Sequence, residues 1–178
     1  NTELIKKFEA GFVAGAKKIN PAIQVEVKYI TVPPDFSGFN DPAKGREIGN
    51  AMYANGADVI YAAAGGSGGG LFEAAKAASA KGTKVWAIGV DSDQINLVDA
   101  SLKPFILTSM LKKVDVAVFS AIKDFVDGKF KAEVKVYDLK AGGVDYSTTG
   151  GNVDDIKDKL EELKKQIVSG AITVPKTP

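Results

Sequence analysis

The fold of this chain is decided by residues 57–78, which read ADVIYAAAGGSGGGLFEAAKAA. The apolar run Ala57–Tyr61 has the length of a buried strand, and an Ala-rich helical pattern begins at Leu71. A glycine loop lies between them. Such a loop at a helix N-terminus lets a ligand approach bare backbone N–H groups. This strand–loop–helix unit predicts an α/β fold with a ligand site at the loop.

A second strand is followed by a carboxylate. Residues 84–94, KVWAIGVDSDQ, read as a strand that leads into Asp91. Loops after successive strands of an open α/β sheet meet at one edge, so we expect Asp91 and the glycine loop to face one crevice. An acid at this spacing can accept hydrogen bonds from two ribose hydroxyls. The same features also serve as a tight turn and a turn-forming acid; together they favour ribose or another polyol.

The rest of the chain alternates helices with strands. Helical spacing predicts a helix over 2–18, one that starts at Pro42 behind the N-cap Asp41, and one that ends near Ser169. Further predictions are strands over 24–30, 105–108 and 134–139 and a helix over 112–126. This alternation predicts a parallel sheet flanked by helices on both faces. Because the order opens on a helix, we expect a strand, and further polypeptide, before Asn1.

Composition excludes several classes of chemistry. The 178-residue chain contains neither cysteine nor histidine, which removes disulfides, thiol nucleophiles, imidazole bases and Cys/His zinc sites. A net charge of +1 gives no basic excess that would indicate nucleic acid. Asp91, Asp93 and Asp99 could form a metal or acid/base cluster, although acids after a strand more often make turn hydrogen bonds. We therefore expect no enzyme activity, no cofactor and no metal.

Three further side chains are candidates for the site. Phe39 lies in a loop after the 24–30 strand, where an aromatic ring can stack on a planar ligand or simply anchor the loop. Lys112 and Lys113 open the predicted 112–126 helix, an unfavourable place for a cation. Lys112 could pair with Asp115 one turn away.

Five segments together resemble the basic membrane protein family, surface lipoproteins that act as substrate-binding components of ABC importers and include purine nucleoside receptors. The segments are LIKKFEAGF (4–12), FNDPAKG (39–45), AAGGSG (63–68), GVDSDQ (89–94) and TSMLKKVD (108–115). The resemblance continues through GGVD (142–145) and the final helix, so it covers essentially the whole chain.

The resemblance implies a role for each candidate. Phe39 would stack on a purine base, and the backbone of Gly65 would line the ribose side. Asp91 and Lys112 would hold the ribose hydroxyls, with Lys113 as the alternative to Lys112. The implied partners are a purine nucleoside and an ABC transporter permease, and the implied location is outside the cytoplasm on a membrane-anchored lipoprotein.

The resemblance also implies a type I periplasmic-binding-protein-like lobe that is truncated at its N-terminal side. Residues 1–104 would form the main part of the C-terminal ligand-binding lobe, 105–130 would cross to the missing N-terminal lobe, and 131–178 would return. The apolar face of the crossing helix, with Val114, Val116, Ala117, Phe119 and Ala121, would then need that lobe or a second chain as its partner.

Two rival functions remain open from the residues. A nucleotide-cofactor enzyme domain is one, supported only by the glycine loop and the later acid. The loop is not a P-loop, because no Lys-Ser or Lys-Thr follows it, and it fails the dinucleotide fingerprint, because Leu71 stands at the third glycine. A sugar-binding protein or a regulatory sensor with the same fold is the other.

Overall fold

The computed structural model describes residues 1–178 as an open sheet of four strands with five helices. The helices are α1 (Glu3–Ile19), α2 (Pro42–Ala54), α3 (Gly68–Ser79), α4 (Val114–Val126) and α5 (Lys157–Ser169). The strands are β1 (Val59–Tyr61), β2 (Trp86–Asp91), β3 (Ile106–Lys112) and β4 (Val144–Tyr146). None of the helices is both long and apolar enough to span a bilayer.

The sheet has the order β1-β2-β3-β4. β1, β2 and β3 are parallel, as the alternation of elements predicts, whereas β4 pairs with β3 in the antiparallel direction. The carboxyl ends of β1, β2 and β3 therefore lie at one edge of the sheet. The loops that carry Gly65 and Asp91 both leave from this edge, as expected from the sequence.

The core lies between β1–β3 and the pair α2 and α3. Its largest members are Tyr53, Leu71, Phe72, Ile95 and Ile106. α2 and α3 approach closely because each carries a glycine at the point where it meets the backbone at the start of the other helix. A Cβ on Gly70 would collide with the carbonyl oxygen of Pro42, and one on Gly45 would collide with that of Ser67. These contacts fix the glycine loop against the start of α2.

Helix ends follow the capping signals of the sequence. The Asp41 carboxylate accepts a hydrogen bond from the Lys44 backbone N–H at 2.9 Å, with Pro42 in the first turn. Asn55 closes α2, and Gly56 follows with a φ of +98°. α5 ends at Gly170 in the left-handed conformation.

The prediction of a strand over 24–30 is wrong. Residues Gln24–Ile30 alternate in sequence and lie beside α1, but they belong to no sheet. None of them makes a backbone–backbone hydrogen bond. An alternating sequence becomes a strand only when another strand is within hydrogen-bonding distance, and this segment has no such neighbour.

Two predictions in the second half of the chain are also wrong. The segment 134–139 is not a strand: Val134 is 96% exposed and Val136 is 72% exposed, so no ladder or core supports it. The sheet instead takes Val144–Tyr146 as β4. The helix predicted over 112–126 begins only at Val114, since Lys112 is the last residue of β3.

α4 exposes a broad apolar face. Val114, Val118, Phe119, Ile122 and Phe125 are each more than half exposed, and no residue of α4 is buried. Of the face predicted from the sequence, Val114 and Phe119 are exposed, whereas Val116, Ala117 and Ala121 are half-buried. The crossing of this helix to another lobe stays a prediction.

Candidate ligand-binding site

The centre of the candidate site is an ion pair at the carboxyl edge of the sheet. Lys112 Nζ lies 2.6 Å from Asp91 Oδ1, and both side chains are about two-fifths exposed. The pairing follows from the register of two parallel strands, in which Asp91 stands beside Leu111. Asp91, at the end of β2, is thus the partner of Lys112 in place of Asp115, whose pairing with Lys112 depended on Lys112 being helical.

The backbone of Asp91 is strained. Its φ is +69°, and it is the only non-glycine residue of the chain in the left-handed region. Asp and Asn tolerate this region better than other side chains, because their short polar groups can bond locally. Strained residues of this kind cluster at binding and catalytic sites, where the surrounding structure holds them. The strain turns the chain sharply at the end of β2.

Three hydrogen bonds that involve side chains hold the turn after Asp91. The Asp93 carboxylate accepts from the Ser147 hydroxyl at 2.9 Å and from the Thr149 hydroxyl at 2.5 Å. The backbone N–H of Gln94 donates to the Ser109 hydroxyl at 3.2 Å. The loop is therefore tied both to β3 and to the segment after β4, which restrains the carboxylate of Asp91. Nothing in the sequence spacing indicated this tie, since Asp93 and Ser147 lie 54 residues apart.

Lys113 has a separate role in the structure. Its Nζ donates to Asp145 Oδ2 at 3.0 Å, and Lys164 donates to Asp145 Oδ1 at 2.9 Å. Burial alone would raise the pKa of Asp145, but the hydrogen bonds from Lys164 and Lys113 outweigh it and hold that pKa below its usual value. Asp145 of β4 thus links Lys113, which follows β3, to Lys164 of α5, while Lys112 pairs with Asp91.

The hydrogen bonds of Asp145 with Lys113 and Lys164 predict how stability depends on pH. The pKa of the Asp145 carboxyl is lower in the folded state than in the unfolded state. Its ionised form therefore contributes to the free energy of unfolding above the unfolded pKa of about 4, and this contribution is lost as the pH falls further. We expect Asp145→Asn to lower the free energy of unfolding at pH 7 by about 1 kcal/mol, and to have almost no effect near pH 2. Urea unfolding at the two pH values measures this, with Asp99→Asn as the exposed control. An equal loss at both pH values would contradict it.

Phe39 and Gly65 form a second pair at the same edge. A Cβ on Gly65 would lie 2.9 Å from the Phe39 carbonyl oxygen and 3.7 Å from its ring, and the φ of Gly65 is +56°. Only glycine combines that conformation with this close approach. Phe39 is 37% exposed, so part of the residue remains accessible to a ligand.

Ser67 joins the glycine loop to the loop that carries Phe39 through two hydrogen bonds. Its hydroxyl donates to the Gly38 carbonyl at 2.7 Å and accepts from the Asp41 N–H at 2.8 Å. Ser67 is almost fully buried, so these are strong constraints on the position of Phe39. The structure therefore assigns the Ser67 hydroxyl to holding these loops in place.

The sequence pattern does not indicate that Tyr61 lies close to Asp91. Its hydroxyl is buried and has no hydrogen-bond partner, and its ring packs on Phe12 with centroids 5.4 Å apart. Burial, and to a smaller extent the charge of Asp91, raises the pKa of the Tyr61 hydroxyl. Its place at the end of β1, one strand from Asp91, could not be recognised from an isolated tyrosine in an apolar run.

The charged groups of the site can form hydrogen bonds with a ligand. No group of three or more acidic residues is placed to hold a metal ion, so Asp91, Asp93 and Asp99 do not form the metal cluster considered from the sequence. Asp91 and Lys112 offer a charged acceptor beside a charged donor, which is the pattern that recognises vicinal hydroxyls. Phe39 adds a ring face for stacking.

Comparisons with known proteins agree with this picture. A family model described as "ABC transporter substrate-binding protein PnrA-like" matches residues 1–178. The chain is 39% identical over 183 residues to the ABC transporter nucleoside-binding protein BmpA of Lactococcus lactis subsp. cremoris, covering 98% of this chain and 50% of that protein. It is 32% identical to basic membrane protein D of Borreliella burgdorferi, covering 97% of this chain and 48% of the relative.

A solved structure shares the fold. The crystal structure of an ABC transporter solute-binding protein from Aeropyrum pernix K1 superposes with a TM-score of 0.72 at 29% identity. The match covers 96% of this chain and 54% of that one. The chain therefore spans about half the length of the curated relatives and of the solved structure that it matches.

Proposed function

Because this chain belongs to the PnrA-like family of ABC transporter substrate-binding proteins, which are not enzymes, we propose that it supplies the ribose-binding part of a purine nucleoside receptor. The Asp91–Lys112 pair carries this proposal. It lies at the carboxyl edge of the sheet, next to a glycine loop that has no room for a side chain at Gly65.

Each proposed contact has a physical reason. The Asp91 carboxylate accepts hydrogen bonds from the 2′- and 3′-hydroxyls, and Lys112 donates to one of the same oxygens. Gly65 lets the sugar approach the backbone, and the ring of the partly exposed Phe39 stacks on the base. The rest of the base would be recognised by residues outside this chain, which spans about half of its relatives.

The family also suggests the partners and the location. We propose that the protein delivers its ligand to the permease of an ABC importer, and that it works outside the cytoplasm, anchored to the membrane as a lipoprotein. The support for both is the family membership and the likeness to basic membrane protein D.

The decisive experiment is calorimetric titration of the full-length protein with guanosine, inosine, adenosine, ribose and NAD. We expect nucleosides to bind and 2′-deoxyguanosine to bind about 10- to 100-fold more weakly than guanosine, because one hydrogen bond to a charged group is lost. Equal affinity for the two would remove the ribose contact from the proposal. Binding of ribose alone would favour a sugar receptor, and preference for NAD would favour a cofactor domain.

A further inference from the structure

The side chain of Gln94 is hydrogen-bonded to the turn in which Asp91 lies. The Ser92 N–H donates to the Val90 carbonyl at 2.9 Å, across the single residue Asp91. Together with the φ of +69° at Asp91, this bond makes a γ-turn of the rare, strained kind whose central residue has a positive φ. The Gln94 Nε2 donates to the same Val90 carbonyl at 2.9 Å. One carbonyl therefore accepts both the backbone bond that forms the turn and a bond from the Gln94 side chain.

Gln94 is itself held in place by β2 and β3. Gly89 of β2 stands beside Ser109 of β3 in the sheet. A Cβ on Gly89 would collide with the Gln94 side chain and with the Ser109 hydroxyl, so the glycine leaves the space that Gln94 occupies. The buried Ser109 hydroxyl also accepts the Gln94 backbone N–H at 3.2 Å. The backbone and the side chain of Gln94 are thus both fixed relative to the sheet.

The turn at Asp91 needs such support because its conformation is unfavourable. A non-glycine residue with a positive φ persists only where the surrounding structure holds it. The ion pair of Asp91 with Lys112 is partly exposed and contributes little by itself. The Val90 carbonyl belongs to the planar peptide group that precedes the Cα of Asp91, so its orientation is coupled to the φ of Asp91. The bond from Gln94 to this carbonyl therefore acts directly on the strained torsion angle.

We propose that Gln94 is a positioning residue, whose amide holds the turn so that the Asp91 carboxylate stays beside Lys112 and faces the ligand. This inference rests on the proposed function, in which Asp91 accepts hydrogen bonds from the 2′- and 3′-hydroxyls of a ribose. Gln94 contacts no ligand and acts only through Asp91. Because the carboxylate is already in place before the ligand arrives, binding loses less free energy to the ordering of this turn.

The test is Gln94→Met, which keeps the length of the side chain and removes the donor to the Val90 carbonyl. Gln166→Met is the matched control, since it removes an amide donor from the exposed hydrogen bond to Glu162. In calorimetric titration of the full-length protein, we expect Gln94→Met to weaken guanosine binding about fivefold or more, and the control to leave it unchanged. In an Asp91→Gly background, Gln94→Met should change the affinity by less than about twofold, because the residue through which it acts is gone. An equal loss of affinity in both backgrounds, or no loss in the parent, would overturn the proposal.

Urea unfolding without ligand separates a failure of this inference from a failure of the proposed function. In the parent, loss of the Gln94 bond lets the strained turn relax, which offsets part of the lost stability. Glycine at position 91 carries no such strain, so we expect Gln94→Met to lower the urea midpoint more in Asp91→Gly than in the parent. Equal shifts in the two backgrounds would overturn the role of Gln94 even in a protein that binds guanosine. The larger shift in Asp91→Gly, in a protein that binds no nucleoside, would support that role and count against the nucleoside alone.

Discussion

Asp91→Asn is expected to lower the affinity of the full-length protein for guanosine by about 30-fold or more. The substitution keeps the size of the side chain and the tolerance for a φ of +69°, but it removes the charge that would strengthen the two proposed hydrogen bonds to the sugar. Each hydrogen bond to a charged group is worth about 1.5–3 kcal/mol. Calorimetric titration measures the change, with the exposed Asp99→Asn as a control of equal charge.

Asp91→Gly separates binding from folding. Glycine adopts positive φ without strain, and the ion pair it removes is exposed and contributes little to stability. We expect this variant to be as stable as the parent or more stable, by up to about 1 kcal/mol, and to bind guanosine as weakly as Asp91→Asn. Wild-type affinity in either variant would remove Asp91 from the site and, with it, the main support for a nucleoside ligand.

Much of the fold could be predicted because it depends on local sequence. Asp41-Pro42 and Asn55-Gly56 mark the ends of α2, and the apolar run before the glycine loop marks β1. The errors concern segments whose state depends on distant partners. Residues 24–30 have the pattern of a strand but no neighbour to pair with, and Val144–Tyr146 becomes β4 because β3 is available at that position.

The same distinction applies to the site. The position of Gly65 and Asp91 at one edge of the sheet could be predicted, because glycines and an acid after successive strands are a local signal with a known place in the fold. The family resemblance implies only that Asp91 and Lys112 contact the same ribose; their ion pair is not predicted, since the sequence pattern places Lys112 on a helix. The Asp93–Ser147 tie and the unpartnered hydroxyl of Tyr61 depend on residues far apart in the chain, which no spacing reveals.

Gly70→Ala is expected to produce the largest loss of stability in the chain. A Cβ at this position would collide with the Pro42 carbonyl and lie 2.7 Å from the Arg46 backbone nitrogen. Both contacts are with the backbone of α2, which cannot move without leaving the core. We expect the free energy of unfolding to fall by about 3 kcal/mol or more, a large share of the roughly 5–15 kcal/mol that holds a domain together.

The adjacent residue provides a matched control. A Cβ on Gly69 would meet nothing within 4 Å, and alanine is favoured over glycine in a helix by about 0.5–1 kcal/mol. Gly69→Ala should therefore stabilise the chain slightly, while Gly70→Ala destabilises it, and urea unfolding at one pH compares them directly. Because Gly70 holds α3 against α2, the loss should also loosen the loop of Gly65 and Phe39. Similar unfolding curves for the two variants would mean that α2 and α3 do not pack this closely, and the position of the glycine loop would then lose its structural basis.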